Sequence, residues 1–187
     1  MCSPERLLYI LRYSLAYVHK QRELKDGTIE KIDEKHIMRY QQLFATYAIT
    51  DSLSNGIKSG LIWHTQGSGK TALAYYLTNI LTDYYANKDT VAQFFFIVDR
   101  IDLLDQATKE FKARGLKVST ADTKEDLLEL LRKPQSAQGN TGEKEMIVVN
   151  IQRFSNDNKK VQLPEYAIKR QRIFIIDEAH RGYKPTD

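Results

Sequence analysis

Several short stretches of this chain are apolar at every position rather than at alternate ones, and each stops at a polar turn. Leu61-Ile62-Trp63, Phe94-Phe95-Phe96-Ile97-Val98, Met146-Ile147-Val148-Val149 and Ile173-Phe174-Ile175-Ile176 are of this kind, with Leu116-Lys117-Val118 as a further short strand. A strand of that composition has no side to offer water, so it belongs in a parallel sheet covered on both faces. Between the runs lie stretches of helical spacing: a long one from about Gly69, one from about Asp102 to Arg114, and one through Leu127, Leu128, Leu130 and Leu131. Strands alternating with helices predict an α/β fold, a parallel sheet with helices on both faces.

The chain ahead of the first run reads differently. Ser3-Pro4-Glu5-Arg6 is a helix start, and Leu7, Leu8, Ile10, Leu11, Leu15 and Val18 recur at helical spacing, which predicts a helix to about Arg22. A polar turn follows at Lys25-Asp26-Gly27-Thr28, and a second helix is expected from Glu34 to Leu53, stopping at Asn55-Gly56. The expected organisation is a helical lead-in over residues 1–33 and one α/β domain over 34–187, with polar surface loops at Gln135–Lys144 and Asn156–Lys169. A length of 187 residues suits one domain that buries its own core.

No apolar run approaches the roughly 20 residues that span a bilayer, and the N-terminus has no signal-peptide pattern. The one cysteine, Cys2, excludes an internal disulfide and fits a cytoplasmic location. A net charge of +4 permits contact with nucleic acid without requiring it, since Lys and Arg are scattered.

The segment from His64 to Thr71 carries the most chemistry. It reads His64-Thr65-Gln66-Gly67-Ser68-Gly69-Lys70-Thr71, a small polar loop after an apolar run and before a helix. Glycines 67 and 69 allow a curl whose N–H groups surround phosphate oxygens, and the following helix turns its positive end to the same anion. Lys70 is then placed to reach the β- and γ-phosphates of a nucleoside triphosphate, and the Thr71 hydroxyl to ligate Mg²⁺. The general pattern has glycine where this chain has His64. The plain alternative is a glycine-rich turn with a surface lysine, which the strand-loop-helix context argues against.

Asp177-Glu178 follows the last apolar strand, at the carboxyl edge where ligands of open α/β sheets bind. Asp177 is a candidate Mg²⁺ ligand together with Thr71, and Glu178 is the candidate base for an attacking water. Lys70, Asp177 and Glu178 are thus the expected catalytic residues. Alone, an acidic pair at a helix start could merely meet the helix dipole.

With Ala179 and His180 the pair reads D-E-A-H, and together with the loop at Lys70 it resembles the first, RecA-like motor lobe of superfamily 2 helicases and translocases. Trp63–Thr71, Phe96–Leu103, Asn150–Phe154 and Asp177–Arg181 narrow the likeness to the restriction (R) subunit of type I restriction–modification enzymes, in which a histidine at the position of His64 is usual. The likeness extends from about Lys35 onward. It implies ATP and Mg²⁺ as cofactors, and double-stranded DNA and the modification and specificity subunits as partners. It also implies an adenine contact by Gln42 in Arg39-Tyr40-Gln41-Gln42, and contacts from Arg100 and Arg153 to the DNA backbone.

A motor of that kind needs a second lobe, and the R subunit carries a nuclease ahead of its motor. Neither is legible here, so the chain is expected to be one lobe of a larger protein, in which hydrolysis pulls DNA until it is cleaved. The alternatives are another superfamily 2 motor acting on DNA or RNA, a non-catalytic domain of the same fold that binds nucleic acid or protein, and a small-molecule kinase. Lys70, Thr71, Asp177 and Glu178 together count against the non-catalytic reading. The D-E-A-H run, with no substrate lid in evidence, counts against the kinase.

Overall fold

Ser3 and Pro4 begin a helix as the sequence predicts, but Ser14 ends it early. In the computed structural model, which describes residues 3–132, 144–151 and 170–179, helix α1 spans Pro4–Tyr13 and the Ser3 side chain accepts the N–H of Arg6 at 3.3 Å. The helix expected to continue to Arg22 gives way to an antiparallel hairpin of strands β1 (Leu15–Glu23) and β2 (Ile29–Ile37). The cause is local. Gly27 takes φ +80°, and the Asp26 carboxylate accepts from the N–H of Thr28 at 3.0 Å and from its hydroxyl at 2.6 Å, so the chain reverses there. Ala16 and Val18 are buried while Leu15 and Tyr17 between them are exposed, the period of a strand. The pairing sets His19 across from Asp33, 2.6 Å away, and within β2 His36 meets Glu34 two residues before it at 2.8 Å. The second helix accordingly starts six residues later than Glu34 would have it, as α2 (Tyr40–Ser54), and stops at Asn55-Gly56 as expected.

The strand expected at Leu61–Trp63 does not form. Among the described residues none pairs with it, and the three side chains are exposed, Trp63 at 87%. A three-residue run can make only a bond or two in a ladder, too few to hold a strand without a neighbour on each side. Helix α3 (Lys70–Ala86) follows the loop directly. Tyr75 and Tyr76 in it are buried and Tyr84 and Tyr85 half-buried, which are packing positions.

The described chain forms two compact units. The first holds the residues up to Tyr84 with Ala113–Gly115. In it α1 is tied down by polar contacts: Arg12 donates to Asp83 at 2.7 and 3.2 Å, the Tyr13 hydroxyl donates to the same oxygen at 2.9 Å, and the Tyr9 hydroxyl donates to Thr46 at 3.0 Å. Burial, and next the acceptor Asp83, push the Tyr13 phenol up to about 12.

The second unit, Tyr85–Lys112 and the described residues from Leu116 onward, contains β3 (Val91–Val98), α4 (Ile101–Ala113, all but its last residue), β4 (Lys117–Ala121), α5 (Lys124–Arg132), β5 (Glu145–Asn150) and β6 (Arg170–Ile176). The strands form one parallel sheet in the order β4-β5-β3-β6. The helices flank both faces, because neighbouring residues of β3 point opposite ways. Phe95 packs with Ile147 and Val149 in a cluster backed by Leu127, Leu130 and Leu131 of α5. Phe96 meets Phe111 of α4 edge-on, with ring centroids 5.1 Å apart. The α/β reading of the sequence is therefore observed. The loops expected at Gln135–Lys144 and Asn156–Lys169 lie almost wholly outside the described residues.

Candidate functional site

The loop of the first unit is built by two glycines in the left-handed region. A hydrogen bond from the Ser68 N–H to the Thr65 carbonyl, 3.2 Å, closes a turn whose third residue, Gly67, has φ +75°. Gly69, φ +83°, then caps α3, accepting the N–H of Leu73 at 2.9 Å. Lys70 and Thr71 are the first residues of that helix. Thr65, Gln66 and Gly67 are exposed, whereas Ser68 is buried. His64 Nδ1 and Ser68 Oγ are buried polar atoms with no hydrogen-bond partner among the described residues. A loop with a buried hydroxyl to satisfy, at the positive end of a 17-residue helix, fits an oxyanion ligand.

Gln42 is brought to this loop. It sits at the third position of α2, where its Oε1 accepts the Arg39 N–H at 2.9 Å, half of a capping box. Its Nε2 donates to the carbonyls of Ser68, 3.3 Å, and Gly69, 2.9 Å, and the residue is only 3% exposed. Gln41 beside it does not share these contacts and is half-buried. Arg39 also reaches the loop, donating from Nη1 to the Gly67 carbonyl at 3.1 Å. Sequence reasoning missed Arg39. The signal was the glutamine three residues after it, which marks Arg39 as the residue that begins a helix.

The second unit gathers its candidates at one edge of the sheet. Ile97 is level with Ile176, and Val98 with Asn150, so Asp99-Arg100, Ile151 and Asp177-Glu178 all leave the sheet at the carboxyl ends of parallel strands. Asp177 is held there by its N–H, which donates to the Ile97 carbonyl at 2.9 Å. Its carboxylate accepts the N–H of Glu178 at 3.1 Å. Glu178 has φ +51°, a left-handed conformation uncommon for a side chain of that kind and frequent at functional sites. Arg100 grips Asp102 with two bonds, 2.9 and 3.0 Å, at an exposed position. Arg153, His180 and Arg181 lie outside the described residues.

Comparison with known proteins decides the family. The model of the SWI2/SNF2 ATPases matches residues 41–185. The chain belongs to the SWI2/SNF2 ATPase family. That span takes in Gln42, the loop and the acidic pair, and the parallel sheet is the architecture expected of this ATPase domain. Relatives of this chain carry the name of type I restriction enzyme endonuclease subunits, the group its motifs resemble. One from Methanocaldococcus jannaschii is 42% identical over 114 residues, covering 58% of this chain and 10% of the relative. One from Staphylococcus saprophyticus is 31% identical over 149 residues, covering 78% of this chain and 14% of the relative. One from Staphylococcus aureus is 30% identical over 151 residues, again covering 78% and 14%. The chain thus spans between a tenth and a seventh of these relatives' length. No described helix is long and apolar enough to cross a membrane.

Proposed function

We propose that this chain is the nucleotide-binding part of an ATP-dependent DNA translocase that acts within a type I restriction enzyme, alongside modification and specificity subunits. The observation that carries the reading is the loop His64–Thr71, with its two left-handed glycines and its buried unsatisfied hydroxyl at the start of α3. The names of its relatives supply the restriction context.

Each residue has a task that its chemistry supports. The N–H groups of the loop and the Lys70 ammonium bind the triphosphate of ATP and neutralise charge as it gathers on the phosphates. Thr71 and Asp177 are the oxygen donors suited to Mg²⁺. Among the described residues no group of three His, Cys, Asp or Glu could hold a metal unaided, and Mg²⁺ asks for only one or two carboxylates besides phosphate and water. When bound, Mg²⁺ would supply Lewis-acid stabilisation of phosphate charge. Glu178 takes the proton of the attacking water, and Asp177 fixes the peptide that carries it through the bond at 3.1 Å.

For DNA, Arg100 is the described candidate. Its pair with Asp102 is exposed, with side-chain exposures of 53% and 62%, and pairs of that kind are held weakly. The guanidinium can therefore exchange Asp102 for a backbone phosphate, which adds affinity without sequence information. Arg153 is proposed for the same role from the motif likeness alone.

Calorimetric titration of the chain with ATP and Mg²⁺ tests the core of the reading. Saturable binding is expected, and Lys70→Ala should weaken it by at least about tenfold, the scale of losing a charge-assisted bond to phosphate. Equal affinity in parent and variant would remove the phosphate-loop assignment.

A further inference from the structure

Three consecutive carbonyls of the loop, those of Gly67, Ser68 and Gly69, accept hydrogen bonds from the start of α2. Arg39 Nη1 supplies the first at 3.1 Å, and Gln42 Nε2 the other two at 3.3 and 2.9 Å. The Gln42 amide is in turn oriented by its oxygen, which accepts the Arg39 N–H at 2.9 Å. One residue, Arg39, therefore acts twice: its side chain holds the loop, and its backbone aims the amide that holds the rest.

The consequence for an anion follows from peptide geometry. In a trans peptide the N–H points away from the carbonyl of the same unit. Drawing the carbonyls of Ser68 and Gly69 toward α2 turns the N–H groups of Gly69 and Lys70 away from it. The contact is close: a Cβ at Gly69 would lie 2.6 Å from Gln42 Nε2, so another residue there would have to push the end of that side chain off the loop. In this arrangement both Nε2 contacts run to loop carbonyls, at 3.3 and 2.9 Å.

We infer that Arg39 is a positioning residue for the phosphate loop. Together with Gln42 it orders the loop from outside, so that losing its contact weakens every ligand that carries the triphosphate. The inference rests on the reading of His64–Thr71 as a triphosphate loop.

The test uses the chain with Arg39→Ala, Arg39→Lys, Gln42→Glu and, as the control for the loop itself, Lys70→Ala. Amide hydrogen exchange at residues 66–70 is read without nucleotide, and affinities are read for ATP, GTP and inorganic tripolyphosphate, each with Mg²⁺. Arg39→Ala and Gln42→Glu should raise exchange in the loop and weaken all three ligands by a common factor of about tenfold. Arg39→Lys, which keeps a donor, should recover part of both, with all variants melting near the parent. Unchanged loop exchange in Arg39→Ala overturns the inference. So does a loss confined to ATP, which would make the residues readers of adenine. A Lys70→Ala variant that binds all three ligands as well as the parent sinks the phosphate-loop reading instead, while the exchange measurement still decides whether Arg39 orders the segment.

Discussion

Gly69 shows how far one residue can be constrained from two directions. Its φ of +83° disfavours any L side chain, and the space where a Cβ would stand is taken by Gln42 Nε2 at 2.6 Å. Gly27 provides the comparison, with φ +80° but nothing within 4 Å of its Cβ position. Gly27→Ala should therefore cost about 1 kcal/mol of stability, the backbone penalty alone, and leave ATP binding unchanged. Gly69→Ala should also break the Gln42 contact and weaken MgATP binding by roughly the tenfold expected when that contact is lost. Thermal melting and titration of the two variants side by side check this; equal affinities would mean that the glycine serves the turn and not the clamp. The glycines, Lys70 and the acidic pair were legible because each has a chemistry few other residues share. That Gln42 and not Gln41 meets the loop depends on where the helix starts. With α2 beginning at Tyr40, the third helical position is Gln42, whereas a helix begun at Glu34 gives neither glutamine that place.

Elements were legible where one periodicity dominated and misread where two competed. The wholly apolar runs at Phe94–Val98 and Met146–Val149 became β3 and β5, covered as a parallel sheet's inner strands require, whereas Ile173–Ile176 became β6, at the end of the described sheet with Phe174 and Ile176 exposed. Leu15 and Val18 continue the leucine spacing of α1, yet Ala16 and Val18 also alternate with Leu15 and Tyr17, and the Asp26-Gly27 turn favours the strand pattern. What a helix wheel cannot show is the anchor near the end of α1, the Tyr13 and Arg12 contacts to Asp83, seventy or so residues away in sequence. That anchor has a pH signature. The folded state raises the Tyr13 phenol from its ordinary value of 10.0 to about 12, first by burial and next through Asp83. The unfolded chain thus loses the proton first, so the contribution is intact below pH 10 and is lost as pH rises toward 12. Stability of the parent should fall more steeply across that window than stability of Tyr13→Phe. Denaturant melts of both proteins at several alkaline pH values measure the difference, and parallel curves would show that the phenol is not perturbed.

At the scale of the molecule, the described chain has two units of different construction, and each carries part of the proposed machinery. Lys70 and Thr71 open a helix in the first, while Asp177 and Glu178 end a strand in the second. The α/β class was readable because it depends on composition averaged over whole strands. The apolar run before the loop was not, because its pairing depends on neighbours rather than on its own three residues. Binding and turnover should consequently separate by mutation. Lys70→Ala removes a charge that holds the phosphates. Glu178→Gln keeps the size of the side chain and a backbone already set at φ +51°, but removes the group that accepts a proton. MgATP affinity should then stay within about twofold of the parent in Glu178→Gln, while ATP turnover drops by about 100-fold or more, the usual worth of a general base. Phosphate release under single-turnover conditions reads the second quantity without interference from product dissociation. Undiminished release would assign proton transfer to another group and leave Glu178 a role in shaping the sheet edge. A parallel loss of affinity would instead mean that the carboxylate takes part in holding the nucleotide and its cation.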